Sequence, residues 1–482
     1  MRNLLKAILK TGTGSLVSVL FGMLAIKLIA ARLGVEALGS FSLVKQTITA
    51  GSAMFITGGQ TALVQGMSTR TGEDRRRFLG TALVLLCGGS LLVGVVMMLS
   101  ARWLAPKLLP GVQGPAGDAV SLAGVAVIVA GATAFVFGSL NGIRRIGRLA
   151  IAQSSNAVAL AALVWFLLPR LGLLRPERFA AVLTVSQLPG LVIGGFFLLR
   201  ERIQIWPGSF DRNSTRQFTA LAFATFAAAT MQGWTVLVLR GSVSARLGLR
   251  SAGLFDVAWT ISMVYVMLVL GSFSTYYLPT LAAETDNRKK LIDDVLRTSL
   301  LLVVPLIAAI MAFRPMIVTL LYSREFLPAT QMMRWMLLGD FFKIVSFVVA
   351  MPMIAFADTR AFLVGELGWN LAMIGATQVI LRAGLGLEWL GVIFAVAYLG
   401  YLGYAWQYCR RKLNWNFPRH LILPLVFGIV VLAVVSAISW EATTVSSAGV
   451  SLAAIGSALQ AWVLIRSARD SRLAACATGA EA

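Results

Sequence analysis

Residues 31–43 read ARLGVEALGSFSL, and residues 245–257 read ARLGLRSAGLFDV. Ala-Arg-Leu-Gly, a second glycine (Gly39, Gly253) and a phenylalanine (Phe41, Phe255) return at an offset of 214 residues, which marks an internal repeat. The match extends outward. Arg75-Arg76-Arg77 before one apolar run corresponds to Arg288-Lys289-Lys290 before another, and Ala101-Arg102-Trp103-Leu104-Ala105-Pro106 after the first resembles Ala312-Phe313-Arg314-Pro315 at the second. Of 482 residues, 58% are hydrophobic and 13% charged, with a mean hydropathy of +0.81, so bilayer rather than water is the solvent for most of the chain.

Apolar windows fall at 11–31, 41–64, 78–100, 119–140, 149–168, 179–199, 218–239, 252–279, 298–322, 335–356, 361–381, 388–408, 421–439 and 447–465. This predicts an all-α polytopic membrane protein of about fourteen transmembrane helices. The second window is broken by Lys45, Gln46, Thr47 and Thr49, and the repeat rescues it. Six spans separate the two copies, an even number, so the halves share one orientation. Such a parallel repeat encloses a central cavity between two six-helix bundles, as in alternating-access transporters. The expected division is an N-terminal bundle at 1–200, a cytoplasmic linker at 201–217, a C-terminal bundle at 218–409, two extra helices at 410–466 and a cytoplasmic tail at 467–482. With the N-terminus inside, the loops on the inner side carry about twice as many Lys and Arg as those outside, which predicts cytoplasmic termini.

Lys plus Arg number 42 against 20 for Asp plus Glu, a net charge of +22 that calls for an anionic lipid surface or a charged substrate. Part of it is topology signal. Cys87, Cys409 and Cys476 form no C-x-x-C pair, and the lone His420 builds neither a triad nor a zinc site. No Gly-Lys pair exists for a P-loop. The reading therefore expects no cofactor, no metal, no nucleic-acid partner and no catalysis. Asn213-Ser214-Thr215 fits a glycosylation acceptor but lies in a basic inner loop, and Lys27 and Arg32 after the first apolar run argue against a cleavable signal.

Besides Arg314, which falls in the window 298–322, six ionisable residues are singled out inside the spans: Lys27, Lys45, Asp256, Asp340, Lys343 and Glu366. At about 2.5–3.5 kcal/mol each, leaving all six in lipid costs roughly 15–20 kcal/mol, more than a typical net stability. They must be paired, snorkelling or lining a wet cavity. By topology Lys45, Asp256 and Asp340 sit near the outer helix ends, with Lys27 and Lys343 slightly deeper, so five charges of both halves are expected in one layer. Each has a plain structural alternative. Asp340 and Lys343, spaced i, i+3, can neutralise each other; Lys27 and Lys45 can snorkel; Asp256 can be a first-turn acid; Glu366 can pair with a loop cation. Most of the tryptophans, Trp103 and Trp389 among them, read as an interfacial belt, with Trp259 and Trp369 deeper.

Several segments carry a resemblance: Ser272-Phe273-Ser274-Thr275-Tyr276-Tyr277-Leu278-Pro279-Thr280-Leu281, Leu338-Gly339-Asp340-Phe341-Phe342-Lys343, Gly365-Glu366, the run from Gly22 to Lys27, Lys45-Gln46 and Arg76-Arg77-Phe78-Leu79-Gly80. Over roughly residues 1–380 the chain resembles the Wzx-type O-antigen and enterobacterial-common-antigen flippases of the MOP exporter superfamily. The resemblance implies a MATE-like fold in a bacterial inner membrane. It also implies transport of undecaprenyl-diphosphate-linked oligosaccharide to the periplasmic leaflet through a cationic cavity, with proton or sodium counterflow. Lys27, Lys45 and Lys343 would bind substrate; Asp340, Glu366 and Asp256 would couple to the ion. Implied partners are the polyprenyl-diphosphate lipid, membrane lipids, a polysaccharide polymerase and a chain-length regulator. Two departures stand out: Met263 where that group carries an acid, and the two added helices.

The physics runs parallel. A diphosphate bearing sugars needs a wet, positive path while its tail stays in lipid, and lysines attract phosphate without the bidentate grip of arginine that would slow release. A multidrug or cation exporter of the same fold would favour acids, whereas three lysines here meet three acids. A glycan polymerase or ligase would need a large outer loop or metal-binding acids, and the first outer loop has only Glu36.

Overall fold

The computed structural model describes residues 2–53, 55–70, 72–167, 175–201, 212–283, 287–439 and 444–477. Most of the expected linker at 201–217, the end of the expected tail, and the side chains of Asn213 and Ser214 and of Ser272 through Tyr276 lie outside the described set. Among the described residues sixteen α-helices follow one another: α1 Arg2–Ala53, α2 Ile56–Thr69, α3 Gly72–Leu83, α4 Gly89–Leu99, α5 Ala101–Leu108, α6 Ala116–Gly142, α7 Ile146–Leu167, α8 Pro176–Val185, α9 Leu188–Arg200, α10 Arg212–Ala283, α11 Arg288–Leu321, α12 Ala329–Ala355, α13 Thr359–Arg382, α14 Glu388–Leu413, α15 Arg419–Ile438 and α16 Ser447–Ala477. Ten helical stretches among the described residues are long and apolar enough to span a bilayer, and the protein is a multi-pass all-α membrane protein.

The repeat is visible in the backbone. α1 and α10 are each two helices joined at an elbow, at Gly34 (φ 82°, ψ −172°) and Gly248 (φ 83°, ψ 167°). These are the fourth residues of the two Ala-Arg-Leu-Gly copies, and they hold a conformation essentially reserved to glycine. Five residues on, Gly39 and Gly253 permit a reciprocal contact. A Cβ on Gly39 would overlap the Leu249 carbonyl oxygen, and one on Gly253 would overlap the Val35 carbonyl oxygen. Val35 and Leu249 are themselves repeat equivalents, so the two elbows cross backbone to backbone in a symmetric pair.

The chain divides into two compact units, residues 1–253 and 254–482. In the first, α6 is the most buried span. Its glycines let neighbours approach: Cβ atoms on Gly94 of α4 and Gly124 of α6 would each lie 2.5–2.6 Å from the other's carbonyl oxygen. In the second, α12 is the most buried span and packs closely on α14. A Cβ on Gly339 would strike the Phe394 ring, and one on Gly391 would sit 2.6 Å from the Met332 oxygen. Leaving out those methyl groups brings the α12 and α14 backbones together at the level of Asp340.

Candidate functional site

Asp340 follows Gly339 directly, so the α12–α14 seam carries its side chain into the fully buried interior of the second unit. A carboxylate at such a place needs donors. The Ser262 hydroxyl donates to Oδ1 at 2.8 Å and the Tyr265 hydroxyl to Oδ2 at 2.5 Å, both from the part of α10 beyond the elbow. Ser262 and Tyr265 are spaced i, i+3 and therefore share a helix face.

Lys343, one turn along α12, is also buried. Its ammonium donates to the Met263 sulfur at 3.2 Å and stands 5.3 Å from the Tyr398 ring centroid and 5.9 Å from that of Phe394. Among the described residues no ion pair within 4.0 Å joins it to Asp340 or Glu366, although both carboxylates are close enough to act on it through the low-dielectric interior. The expected i, i+3 pair is thus not a closed salt bridge: hydroxyls hold the aspartate, while a thioether and two ring faces hold the lysine. Met263, the departure from the flippase pattern, is the residue that faces the ammonium.

Glu366 on α13 accepts from the Tyr401 hydroxyl at 3.3 Å, a phenol of α14 in place of the loop cation considered as its partner. Trp369 lies against Tyr398 in a tilted arrangement with centroids 5.0 Å apart, and Tyr398 packs edge-on to Phe394 at 4.8 Å. The site is therefore two acids and one lysine with an aromatic wall behind them. Asp256 is buried two turns past the Gly248 elbow, so it is not a first-turn acid, and it stands outside the hydroxyl set around Asp340.

Lys27 and Lys45 belong to the first unit, on α1 on either side of the Gly34 elbow, and both are exposed. The next residue explains the facing of Lys45. Gln46 is buried, donates to the Gly233 oxygen at 2.9 Å and accepts from Arg240 Nη1 at 3.0 Å, and the same nitrogen reaches the Ser42 oxygen at 3.4 Å. With the Gln46 face locked inward, the lysine one residue earlier is rotated out of the packing.

Sequence reasoning missed Ser262, Tyr265, Tyr398, Tyr401 and Arg240. A signal existed for the phenols: Tyr398, Tyr401, Tyr404 and Tyr408 recur every three or four residues on one apolar helix, and buried phenols require partners.

The comparisons with known proteins agree with this architecture. The chain is 26% identical over 401 residues to the lipid III flippases of Escherichia coli (strain K12) and Shigella flexneri, covering 78% of this chain and 92% of each relative. In fold it is similar to a lipid II flippase MurJ in an inward closed conformation, with TM-score 0.74, 16% identity, 95% of this chain and 98% of that one covered. It is also similar to an inward-facing multidrug resistance MATE family transporter of the MOP superfamily, with TM-score 0.67, 16% identity and 82% and 95% covered. These relatives are transporters, not catalysts of a reaction. The sequence model that matches, over residues 29–457, is that of lipid II flippase MurJ, and since it takes in both repeats and their elbows, the chain belongs to the MurJ flippase family.

Proposed function

We propose that this protein flips an undecaprenyl-diphosphate-linked oligosaccharide from the cytoplasmic to the periplasmic leaflet of a bacterial inner membrane by alternating access, as a Wzx-type O-antigen or common-antigen flippase would. Lys27, Lys45 and Lys343 attract the diphosphate, and Asp340, Glu366 and Asp256 serve proton or sodium exchange. The observation that carries this reading is the way Lys343 is held. Its ammonium rests on a sulfur and two ring faces, so a diphosphate oxygen gains a full charge-assisted hydrogen bond by displacing weak contacts instead of breaking an ion pair. Once the lysine has moved to the diphosphate, its field at Asp340 weakens and proton or cation uptake there becomes easier, which links occupancy to charge. The name of the lipid III relatives supports a lipid-linked substrate.

The test is a strain lacking its own flippase and accumulating polyprenyl-linked oligosaccharide. This chain should clear the accumulated lipid and restore surface glycan; failure with full membrane expression would reject the substrate class. In proteoliposomes a pH or sodium gradient should drive flipping, and Asp340→Asn should lose that response while keeping downhill movement. If Asp340→Asn with Lys343→Gln restores gradient-driven flipping, the pair is structural and the coupling role falls. Both termini belong in the cytoplasm on this reading. Cysteines at Gly72, Asn287 and Lys412 should label from inside and those at Val112 and Arg175 from outside.

A further inference from the structure

Tyr401, Tyr404 and Tyr408 stand at i, i+3 and i+7 on α14 and so share one face of that helix. α13 packs beside it and carries Glu366, with Asp358 at its N-cap. Every hydroxyl of the row reaches across. Tyr401 donates to Glu366 Oε1 at 3.3 Å, Tyr404 to the Ala361 carbonyl oxygen at 2.8 Å and Tyr408 to Asp358 Oδ2 at 3.2 Å. Gly365 makes room for the rings: a Cβ there would stand 2.9 Å from Cε1 of Tyr404 and 3.1 Å from Cε2 of Tyr401. The phenols cover about 10.5 Å of helix and the two acids lie about 12 Å apart along theirs, so the row fits between its two carboxylates.

The row joins the interior of the unit to its surface. At the inner end Glu366 is faced by Lys343, Tyr398 and Tyr401. At the other end the Asp358 side chain is 28% exposed and accepts from the Ala361 N–H at 3.1 Å, with Tyr404, Tyr408 and, at 3.9 Å, the exposed Lys412 ammonium around it. A phenol suits a relay between such ends, because its oxygen accepts one proton as its own leaves and no charge is stored on it. Hydroxyls three or four residues apart on a helix are separated by about 4.5–6 Å of rise, a gap that one water bridges with two hydrogen bonds. Tyr277 shows the mechanical use of a phenol in the same unit: its hydroxyl donates to a carbonyl, the Val348 oxygen, at 3.1 Å. The α14 row begins and ends on acids.

We propose that Tyr401, Tyr404 and Tyr408 form the proton path between Glu366 and the cytoplasmic water at Asp358, an inference that rests on the exchange role proposed for Glu366 and narrows its ion to the proton. In release, the Glu366 carboxylic acid gives its proton to the Tyr401 oxygen. The Tyr401 proton passes through a water to Tyr404, that of Tyr404 through a water to Tyr408, and that of Tyr408 to Asp358 Oδ2 and on to bulk water. Glu366 is left as a carboxylate, and each phenol ends neutral. Sodium has no such route, since it cannot move by exchange of hydroxyl protons.

The test uses the full chain in proteoliposomes with a pH-sensitive dye in the lumen and a glycosylated polyprenyl diphosphate as the probe. Tyr401→Phe and Tyr408→Phe keep the rings and remove the hydroxyls. Each should slow pH-driven flipping and the accompanying proton movement by about tenfold, with gradient-free flipping within about twofold of wild type. Tyr277→Phe, which removes a phenol outside the row, should leave the ratio of pH-driven to gradient-free flipping unchanged. Unchanged proton movement in both row variants, or equal slowing of both kinds of flipping, makes the phenols helix staples and overturns the proposal. Wild-type protein gives a second measurement that no folding defect can obscure: a pH gradient should drive flipping and a sodium gradient of equal size should not. Flipping driven by sodium and indifferent to pH overturns the relay and leaves the proposed function standing, whereas wild-type protein that flips nothing under any gradient rejects that function and the relay with it.

Discussion

α6 and α12 hold the same place in their units, yet they are built for different work. Each is the most buried span of its half and each is approached through glycines, Gly94 and Gly124 in one case and Gly339 and Gly391 in the other. The α6 interior is apolar apart from hydroxyls such as Thr133 and Ser139, whereas α12 buries Asp340 and Lys343. The cations singled out in the first unit, Lys27 and Lys45, lie at its exposed surface. The duplicated scaffold has been kept in both halves, and among the described residues the buried acids and the buried lysine have been placed in one. Packing and chemistry are therefore separable here, and variants can be sorted by which of the two they disturb.

The largest difference should appear at the α12 charge. Lys343→Ala is expected to lower export by about 100-fold at normal membrane abundance, as loss of a charge-assisted contact worth about 2–3 kcal/mol implies, while Ser139→Ala in α6 stays within about twofold. Glycan export in a complemented strain with quantified protein measures both, and equal losses would break the contrast. Next come the seams, where the units should behave alike. Gly94→Ala and Gly339→Ala should each destabilise by about 2 kcal/mol in thermal unfolding in detergent. A marked inequality would show that only one half relies on close backbone approach. Lys45→Ala should then cost about tenfold in export, with Lys45→Arg recovering part of it; normal export by the alanine variant would mean the side chain only snorkels. The smallest effect is assigned to Tyr265→Phe, which removes one of two donors to Asp340 and should reduce gradient-driven flipping about threefold, leaving gradient-free movement intact. Loss of both kinds of movement would make Tyr265 a packing residue.

The elbows were legible because Ala-Arg-Leu-Gly is a local signal, and both copies fold the same way. The acids and lysines of α12 and α13 were legible because a charge inside an apolar window is costly wherever it faces. The buried arginines were not. Apolar windows end at charges, so Arg240 and Arg334 were placed at or beyond span ends, yet α10 runs through Arg240 and α12 begins before Arg334, with both side chains buried. Hydropathy marks the hydrocarbon slab, while a helix continues as long as its own backbone bonds do. Arg314 shows what makes such burial tolerable: its guanidinium donates to the Met311 carbonyl of its own helix and to the hydroxyl and carbonyl of Ser439, 125 residues away. No one-dimensional pattern contains that pairing. The same holds for the hydroxyls on Asp340, which come from a helix seventy-odd positions earlier.

The crossing of Gly39 with Leu249 also constrains the order of biosynthesis. The carbonyl that fills the bare flank of the first elbow is encoded some 210 residues downstream, and at about 5–20 residues per second the ribosome needs about 10–40 s to deliver it. Throughout that interval the nascent N-terminal half sits in the membrane with an open notch. Its assembly cannot finish as an independent event, because the keystone belongs to the second copy of the repeat. A chain interrupted before Leu249 would leave that notch unfilled, so the two halves are joined in time as well as in sequence.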